Sequence, residues 1–433
     1  MKLLFVTNYY PPHHLGGYEM LCHEVAQQLE QRGHRVAVLA SGFQATPDEQ
    51  EPGIHRTLRL ESDIHYYHPG CLLSYRRDMS ANRAAVAEAL AQEHPEAIVV
   101  WGMWNLSRLV PHRLEELAGP KMVYYLSDRW PANPSAHRQY WEGTATSLAG
   151  RLFKRMLRTP ARWLAPEAWS PPALQFRHAL VCSRTLREQL VAAGVPVAHA
   201  QVLYHGIDPR PYREAARSRP VSSDGSYRVA FVGTLAAHKG AHTAIEALTI
   251  LAREAPSLPL SLSVLGSGHP DYETRLRRLV GDGGIGDRVV FHAPIPRAEL
   301  PAYLARHDAL VMPSVYEEPQ ARISQEAMAA DVVLIATPTG GTKEILEDGI
   351  NGLAFAPEDA RGLAAQLQRV ATDAELGRRL RDAAWETVSQ RFTIGRMIDE
   401  FERVLELVSR EGPAIAASRD RSRNDGADGH ATD

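Results

Sequence analysis

Short β-rich runs alternate with longer amphipathic segments along most of the chain, and this alternation restricts the fold more than any other feature. Strands separated by a helix-length segment cannot pair as hairpins. Each crosses over and lies parallel to its predecessor, with helices covering the sheet. Residues 2–7 read as a first buried strand, 19–32 as a helix ended by Gly33, and 35–39 as the next strand. Runs at 97–101, 122–126, 178–182 and 202–204 continue the series, with helices over about 81–92 and 106–117. The stretch 208–227, rich in Pro, Ser and Arg, reads as a linker or irregular connection. The alternation then restarts at 227–232 and continues at 260–265, 289–291, 309–312 and 332–336. Helical periodicity follows from 360 to 408, where Met397, Ile398, Phe401, Val404, Leu405 and Val408 share one face. These patterns predict two α/β halves, with the loops at the carboxyl ends of both sheets converging on a cleft.

Composition narrows the class. At a prior of roughly 150 residues per domain, 433 residues give two or three domains. Apolar residues at 44% and charged residues at 23% exclude a largely disordered chain, a coiled coil or a collagen-like fibre. A formal charge of −3 gives no support to nucleic-acid binding. Cys22, Cys71 and Cys182 lack metal or disulfide spacing, which fits a reducing compartment. The N-terminal apolar run is too short for a signal-peptide core, and no segment reaches the length of a membrane span. The expectation is a soluble, cytoplasmic protein.

The densest chemical signal lies between residues 313 and 355. Pro313 and Ser314 end a strand, a loop carries Glu317, Glu318 and Pro319, and a helix over about 321–329 contains Glu326. A helix starting there offers free N–H groups and a positive dipole end to an anion. Carboxylates before the helix and just over a turn inside it would flank that anion and accept hydroxyl pairs. A nucleotide diphosphate sugar has this layout: a ribose diol, a diphosphate, and a sugar with its own hydroxyls. Taken alone, the two glutamates read as solvated surface residues, the usual fate of Glu.

The surrounding motifs decide between those readings. Glu318-Pro319, Glu326-Ala-Met-Ala, Thr337-Pro-Thr-Gly-Gly341, Glu344-Ile and Asp348-Gly349-x-x-Gly352 resemble the E-x7-E region of retaining glycosyltransferases of family 4. Tyr10-Pro-Pro12, Gly16-Gly17-x-Glu19 and Gly33-His34-x-Val36 resemble that family's opening βαβ unit. Tyr204-His-Gly-Ile-Asp208 and Phe231-Val-Gly-Thr-Leu235 with Lys239-Gly240 resemble its entry into the second domain and its phosphate loop. The resemblance spans residues 1–409. It implies the GT-B fold, two Rossmann-like doubly wound parallel-sheet domains facing a central cleft. The expected domains are an acceptor-side 1–208, a nucleotide-sugar-binding 209–390, a helix 391–409 packing back on the first, and a disordered tail 410–433.

The resemblance also implies roles. Glu326 binds the ribose hydroxyls, Glu318 contacts the donor sugar, and Lys239 neutralises the diphosphate. The backbone around Arg322, Ile323 and Thr342 completes the donor site, while Gly16 and Gly17 let the first loop approach closely. The chain departs from the pattern at three points. Thr234 stands where the family strand usually carries an Arg, so a phosphate cation is missing, and Arg322 is the expected substitute. Gln320-Ala321 replaces Phe-Gly, which reshapes the sugar pocket. Ser127-Asp128 replaces His-Asp; Asp128 either accepts or orients the acceptor proton, or simply caps the following loop. His13 and His14 read as bystanders in an exposed loop. No Asp-x-Asp or clustered His suggests a metal, so neither a metal nor another cofactor is expected.

Residues 148–164 form a basic amphipathic segment. Arg151, Lys154, Arg155, Arg158 and Arg162 fall on one face, and Leu152, Phe153, Met156, Leu157, Trp163 and Leu164 on the other, with Pro160 breaking the helix after Arg158. Such a segment either contacts an anionic membrane peripherally, at the inner face, or packs its apolar side on the first domain. The reading is therefore a metal-independent hexosyltransferase that passes sugar from a nucleotide diphosphate donor to a saccharide, lipid-linked or small-molecule acceptor. Its rivals are a nucleotide-sugar epimerase or phosphorylase on the same fold and a non-catalytic nucleotide-sugar-binding scaffold. A nicotinamide oxidoreductase fits poorly, because Asp271 stands where the loop after Gly266-Ser-Gly268 requires glycine.

Overall fold

The computed structural model describes residues 1–13, 16–45, 51–63, 67–145, 147–219 and 225–411. The chain divides into two compact units. Unit 1 comprises Met1–Val181, Arg187–Leu203 and the described residues from Ile398 on; unit 2 comprises Cys182–Leu186 and Tyr204–Met397.

Unit 1 is built on seven strands: β1 (Lys2–Val6), β2 (Arg35–Ser41), β3 (Ile54–Leu58), β4 (Ala97–Val100), β5 (Met122–Leu126), β6 (Ala179–Val181) and β7 (Gln201–Val202). Their order is β3-β2-β1-β4-β5-β6-β7, and every pairing is parallel. The central strands read LLFV, AIVV and MVYYL because helices cover both faces and leave no position for a polar side chain. Phe5, Trp101 and Tyr125 meet at this centre, and Phe401 from the Ile394–Arg410 helix lies among them, fully buried.

Unit 2 repeats the plan with β8 (Tyr227–Val232), β9 (Leu260–Leu265), β10 (Val289–His292), β11 (Ala309–Met312), β12 (Val333–Ala336) and β13 (Leu353–Ala354), ordered β10-β9-β8-β11-β12-β13 and all parallel. Alternate residues of β8 enter different cores. Val229 and Phe231 pack with Ala244, Ile245 and Leu248, whereas Ala230 packs with Leu310 and Met328. Both faces of the sheet are therefore covered, as in a doubly wound domain.

Three expectations need correction. The stretch taken as an irregular linker contains a helix, Arg210–Arg217, nucleated by Pro211 in its first turn and anchored by buried Tyr212. Residues 220–224 of that stretch, and the tail beyond 411, lie outside the described residues. Pro160 does not end the basic helix, which runs unbroken over Leu148–Leu164. The turn after the proline is held by buried Ala161, which packs with Ala165, Tyr75 and Trp141. The large apolar residues of that helix are also not its packing face: Leu152, Met156 and Trp163 are exposed. Its inward contact is made by Ala161, with Leu164 packed beside it and Phe153 stacked on Trp141.

Phe401 gives the fold a direct test. Phe401→Ala removes a ring from a fully buried aromatic cluster and is expected to cost about 3–5 kcal/mol, read as a lowered denaturant midpoint of the full chain. A loss under about 1 kcal/mol would show that the last helix does not belong to the unit 1 core.

Candidate functional site

In a parallel sheet every loop at the carboxyl ends of the strands opens on one edge, and a crevice forms where the strand order reverses. In unit 2 the order reverses between β8 and β11. The loop after β8 carries Lys239 and the loop after β11 carries Glu318, so the reversal brings together residues far apart in sequence. Lys239 Nζ donates to Glu318 Oε1 at 2.6 Å, and Ser314 Oγ donates to the same oxygen at 2.6 Å. The two loops are also joined through backbone, Val315 N–H to the His238 carbonyl at 2.9 Å.

Two glycines make this approach possible. Gly240 has a φ of +73°, and a Cβ there would collide with the Pro313 carbonyl oxygen. Gly340 has a φ of +55°, and a Cβ there would strike the Glu317–Glu318 backbone. Gly341 N–H then bonds the Glu318 carbonyl at 2.7 Å. Glu318 is thus fixed from both sides and is 7% exposed.

Glu326 sits inside the Arg322–Ala329 helix and is 2% exposed. Its Oε1 accepts from Arg297 Nη2 at 2.5 Å. Arg297, in the turn after β10, is a site residue that sequence reasoning missed. It lies 29 positions upstream of its partner and in no motif. No side chain caps the start of the Arg322–Ala329 helix. Arg322 itself is buried beside His205, whose imidazole is pushed down to about 3 by burial and by that neighbouring charge. Gln320 holds the backbone at His205 in place. Its Oε1 accepts the His205 N–H at 2.7 Å, and Gln325 donates to the His205 carbonyl at 2.9 Å. Among the other expected donor residues, Thr234 is exposed, Ile323 is half-buried, and Thr342 is buried with no hydrogen-bond partner for its hydroxyl among the described residues.

Unit 1 reverses its strand order between β1 and β4. There Asn8 Nδ2 donates to the Trp104 carbonyl at 3.1 Å, and the side chain of Tyr18 lies against Gly102. Gly16 N–H bonds Glu19 Oε2 at 3.0 Å and so opens the helix Gly17–Gln31. Among the described residues, a Cβ at Gly17 would meet no atom within 4 Å, and one at Gly16 only Glu19 Oε2 at 3.6 Å. Packing among the described residues therefore does not demand glycine at either position. Asp128, on the loop after β5, accepts the Trp130 N–H at 2.7 Å and does cap that loop. Burial nevertheless pushes its carboxyl up to about 6, against the lowering effect of that hydrogen bond. Burial also raises Glu19, which feels the Asp128 charge. His14 lies outside the described residues.

Unit 1 also carries an open cleft of about 1260 Å³ walled by Trp104, Asn105, Arg108, Trp130, Asn133 and Tyr140, among others. Buried Glu61 reaches into it, accepts the Ala136 N–H at 2.8 Å, and is pushed up to about 7 by burial. Among the described residues no group of three or more His, Cys, Asp or Glu side chains is placed to hold a metal ion.

Comparison with known proteins matches residues 15–210 to Glycosyltransferase Family 4 and residues 213–387 to Glycosyl transferases group 1. The chain is a GT-B glycosyltransferase related to family 4. A glycogen synthase of Mycobacterium tuberculosis is 28% identical over 420 residues, covering 90% of this chain and 91% of that protein. Among solved structures, a sucrose-phosphate synthase of Thermosynechococcus elongatus superposes with a TM-score of 0.68 at 19% identity, covering 96% of this glycosyltransferase and 99% of that chain. The Anabaena protein HepE, solved in complex with UDP, gives 0.66 at 19% identity, covering 94% and 100%.

Asp128 provides a pH test. Its carboxyl is held up to about 6 in the fold, from an ordinary 3.8. Its contribution to stability is thus full below pH 3.8 and lost as pH rises through about 6. Asp128→Asn keeps the acceptor for Trp130 and removes the charge. The variant is expected to gain stability over the parent between pH 4 and 7, by about 2 kcal/mol or less, in denaturant midpoints measured across that range. An unchanged difference would show that Asp128 is not disfavoured as a carboxylate.

Proposed function

We propose that this enzyme takes its sugar from a nucleotide diphosphate sugar held in unit 2 and passes it, with retention at the anomeric carbon, to an acceptor hydroxyl presented on unit 1. The observation that carries the reading is the pair of caged carboxylates, Glu318 bonded by Lys239 and Glu326 bonded by Arg297, on either side of one uncapped helix start. Ionised carboxylates only accept, so each suits a pair of hydroxyls: the ribose diol for Glu326 and the donor sugar for Glu318. Lys239 keeps 29% of its side chain exposed and can turn from Glu318 to a diphosphate. The N–H groups at Arg322 and Ile323, in the uncapped first turn, complete the anion site, with the loop carrying Thr342, whose own N–H bonds the Thr339 carbonyl at 3.0 Å, beside them and Thr234 at its border.

As the glycosidic bond breaks, negative charge grows on the departing diphosphate. A fixed cation and aligned amides stabilise that state more than the bound donor, which is the condition for faster chemistry. Arg297, rather than Arg322, is the candidate for the second cation, because Arg322 is packed beside His205. With both cations supplied by the chain, the reading needs no metal. Gly16 and Gly17 leave open space for a ligand at the first loop. Asp128, ionised above about pH 6, accepts or orients the acceptor proton. The UDP bound by HepE supports a nucleotide donor. The matching cytoplasmic process is synthesis of a surface polysaccharide, a glycolipid or a glycosylated metabolite. Peripheral contact with the inner membrane face through 148–164 would bring a lipid-linked acceptor within reach.

A thermal-shift panel of nucleoside diphosphates and their sugars tests the donor site. A ligand at about 100 times its Kd adds about 2.7 kcal/mol. Lys239→Ala and Arg297→Ala are each expected to weaken the bound nucleotide by about 10- to 100-fold, with Glu326→Gln acting similarly and Arg322→Ala having less effect. A panel in which no nucleotide stabilises the protein would sink the reading. Proton NMR of the product linkage tests retention.

A further inference from the structure

The basic helix Leu148–Leu164 presents three different sides. Its inner side carries buried Ala161 and half-buried Leu164, with Phe153 stacked on Trp141 at 5.9 Å between ring centroids and Lys154 turned inward, donating to the Tyr140 carbonyl at 2.5 Å and lying over the Tyr140 ring. Its outer side carries Leu148, Leu152, Met156 and Trp163 at helical spacing, exposed by 78%, 60%, 68% and 76%. Between the two runs a row of arginines, Arg151, Arg155, Arg158 and Arg162, all exposed. Glu142, whose charge is felt by Arg158, is already bonded to Arg138 at 2.9 Å. The sequence from 143 to 166 contains no acidic residue to offset the row.

We infer that this ridge docks on an anionic lipid surface, with the four large apolar side chains entering the headgroup boundary and the arginines bonding lipid phosphates. A contiguous apolar ridge rimmed by charge marks a contact surface rather than a face kept in water. The pairing of that ridge with guanidinium groups, which match phosphate geometry, selects anionic lipid. A second copy of the chain is a poor occupant: two-fold packing of the ridge on itself brings the arginine rows together with no acid between them. The same helical layer walls the unit 1 cleft through Arg138, Tyr140 and Glu167. This deepens the proposed function and rests on it in one respect, naming the acceptor as one carried on lipid.

The test is flotation of the full-length protein with phosphatidylcholine vesicles, with and without phosphatidylglycerol, at low and high salt. Binding is expected only with phosphatidylglycerol, weakening at high salt and falling by about fivefold for each arginine reversed in R151E, R155E and R158E. The triple variant L152E/M156E/W163E is expected to abolish it while leaving the melting temperature and the nucleotide response unchanged. Absence of flotation at low salt, or flotation untouched by both sets of variants, would overturn the proposal. So would a melting temperature that collapses in the apolar triple variant, or a lipid-free dimer that the variants dissociate, since each would mean the ridge is covered by protein. Vesicles are used without nucleotide, and nucleotide binding is measured without vesicles, so lipid docking and the donor site fail separately.

Discussion

The ion pair between Lys239 and Glu318 depends on a topological constraint. Parallel pairing sends every strand of unit 2 toward the same edge, and the reversal between β8 and β11 leaves two loops facing each other there. Gly240 then removes the side-chain atom that would hold those loops apart, and Gly340 does the same for the loop after β12 against Glu318. Ser314 fixes the carboxylate from the strand side, so the acid is oriented before any ligand arrives. A carboxylate this buried is tolerated because a cation and a hydroxyl share one of its oxygens; without them burial would favour the neutral form. The site is thus the place where the sheet leaves a gap and the chain fills it with charge.

Unit 1 uses the same reversal for a different kind of group. Around β1 and β4 the acids are Glu19 and Asp128, both pushed up by burial, and the bonds to their carboxylates come from backbone N–H groups rather than cations. Unit 2 pairs its two carboxylates with cations, while in unit 1 burial pushes Glu19 and Asp128 up. That contrast fits the proposed roles, donor binding in unit 2 and proton handling at Asp128 in unit 1.

Much of this was legible in the sequence because it was written at short range. The spacing from Glu318 to Glu326, the glycines near them and the alternation of strands and helices are local patterns, and the strands 122–126, 227–232, 260–265 and 309–312 coincide with observed ones. What escaped was long-range or too short to show a period. Strand β3, IHRTL, lies at a sheet edge with polar residues on it, and β13 has two residues. Arg297 reaches Glu326 only through the fold. For the basic helix, periodicity identified the faces but not which one was buried. Ala161 and Ala165 allow close packing, so their side turns inward with Leu164 and Phe153, and Leu148, Leu152, Met156 and Trp163 are left outside.

The last helix carries a consequence for how the protein comes into being. Phe401 completes a core whose other rings are Phe5, Trp101 and Tyr125. During synthesis β1 therefore leaves the ribosome with its aromatic neighbourhood unfinished, and it stays so until all of unit 2 and the Ile394–Arg410 helix have followed. The amino-terminal unit is begun first and closed last.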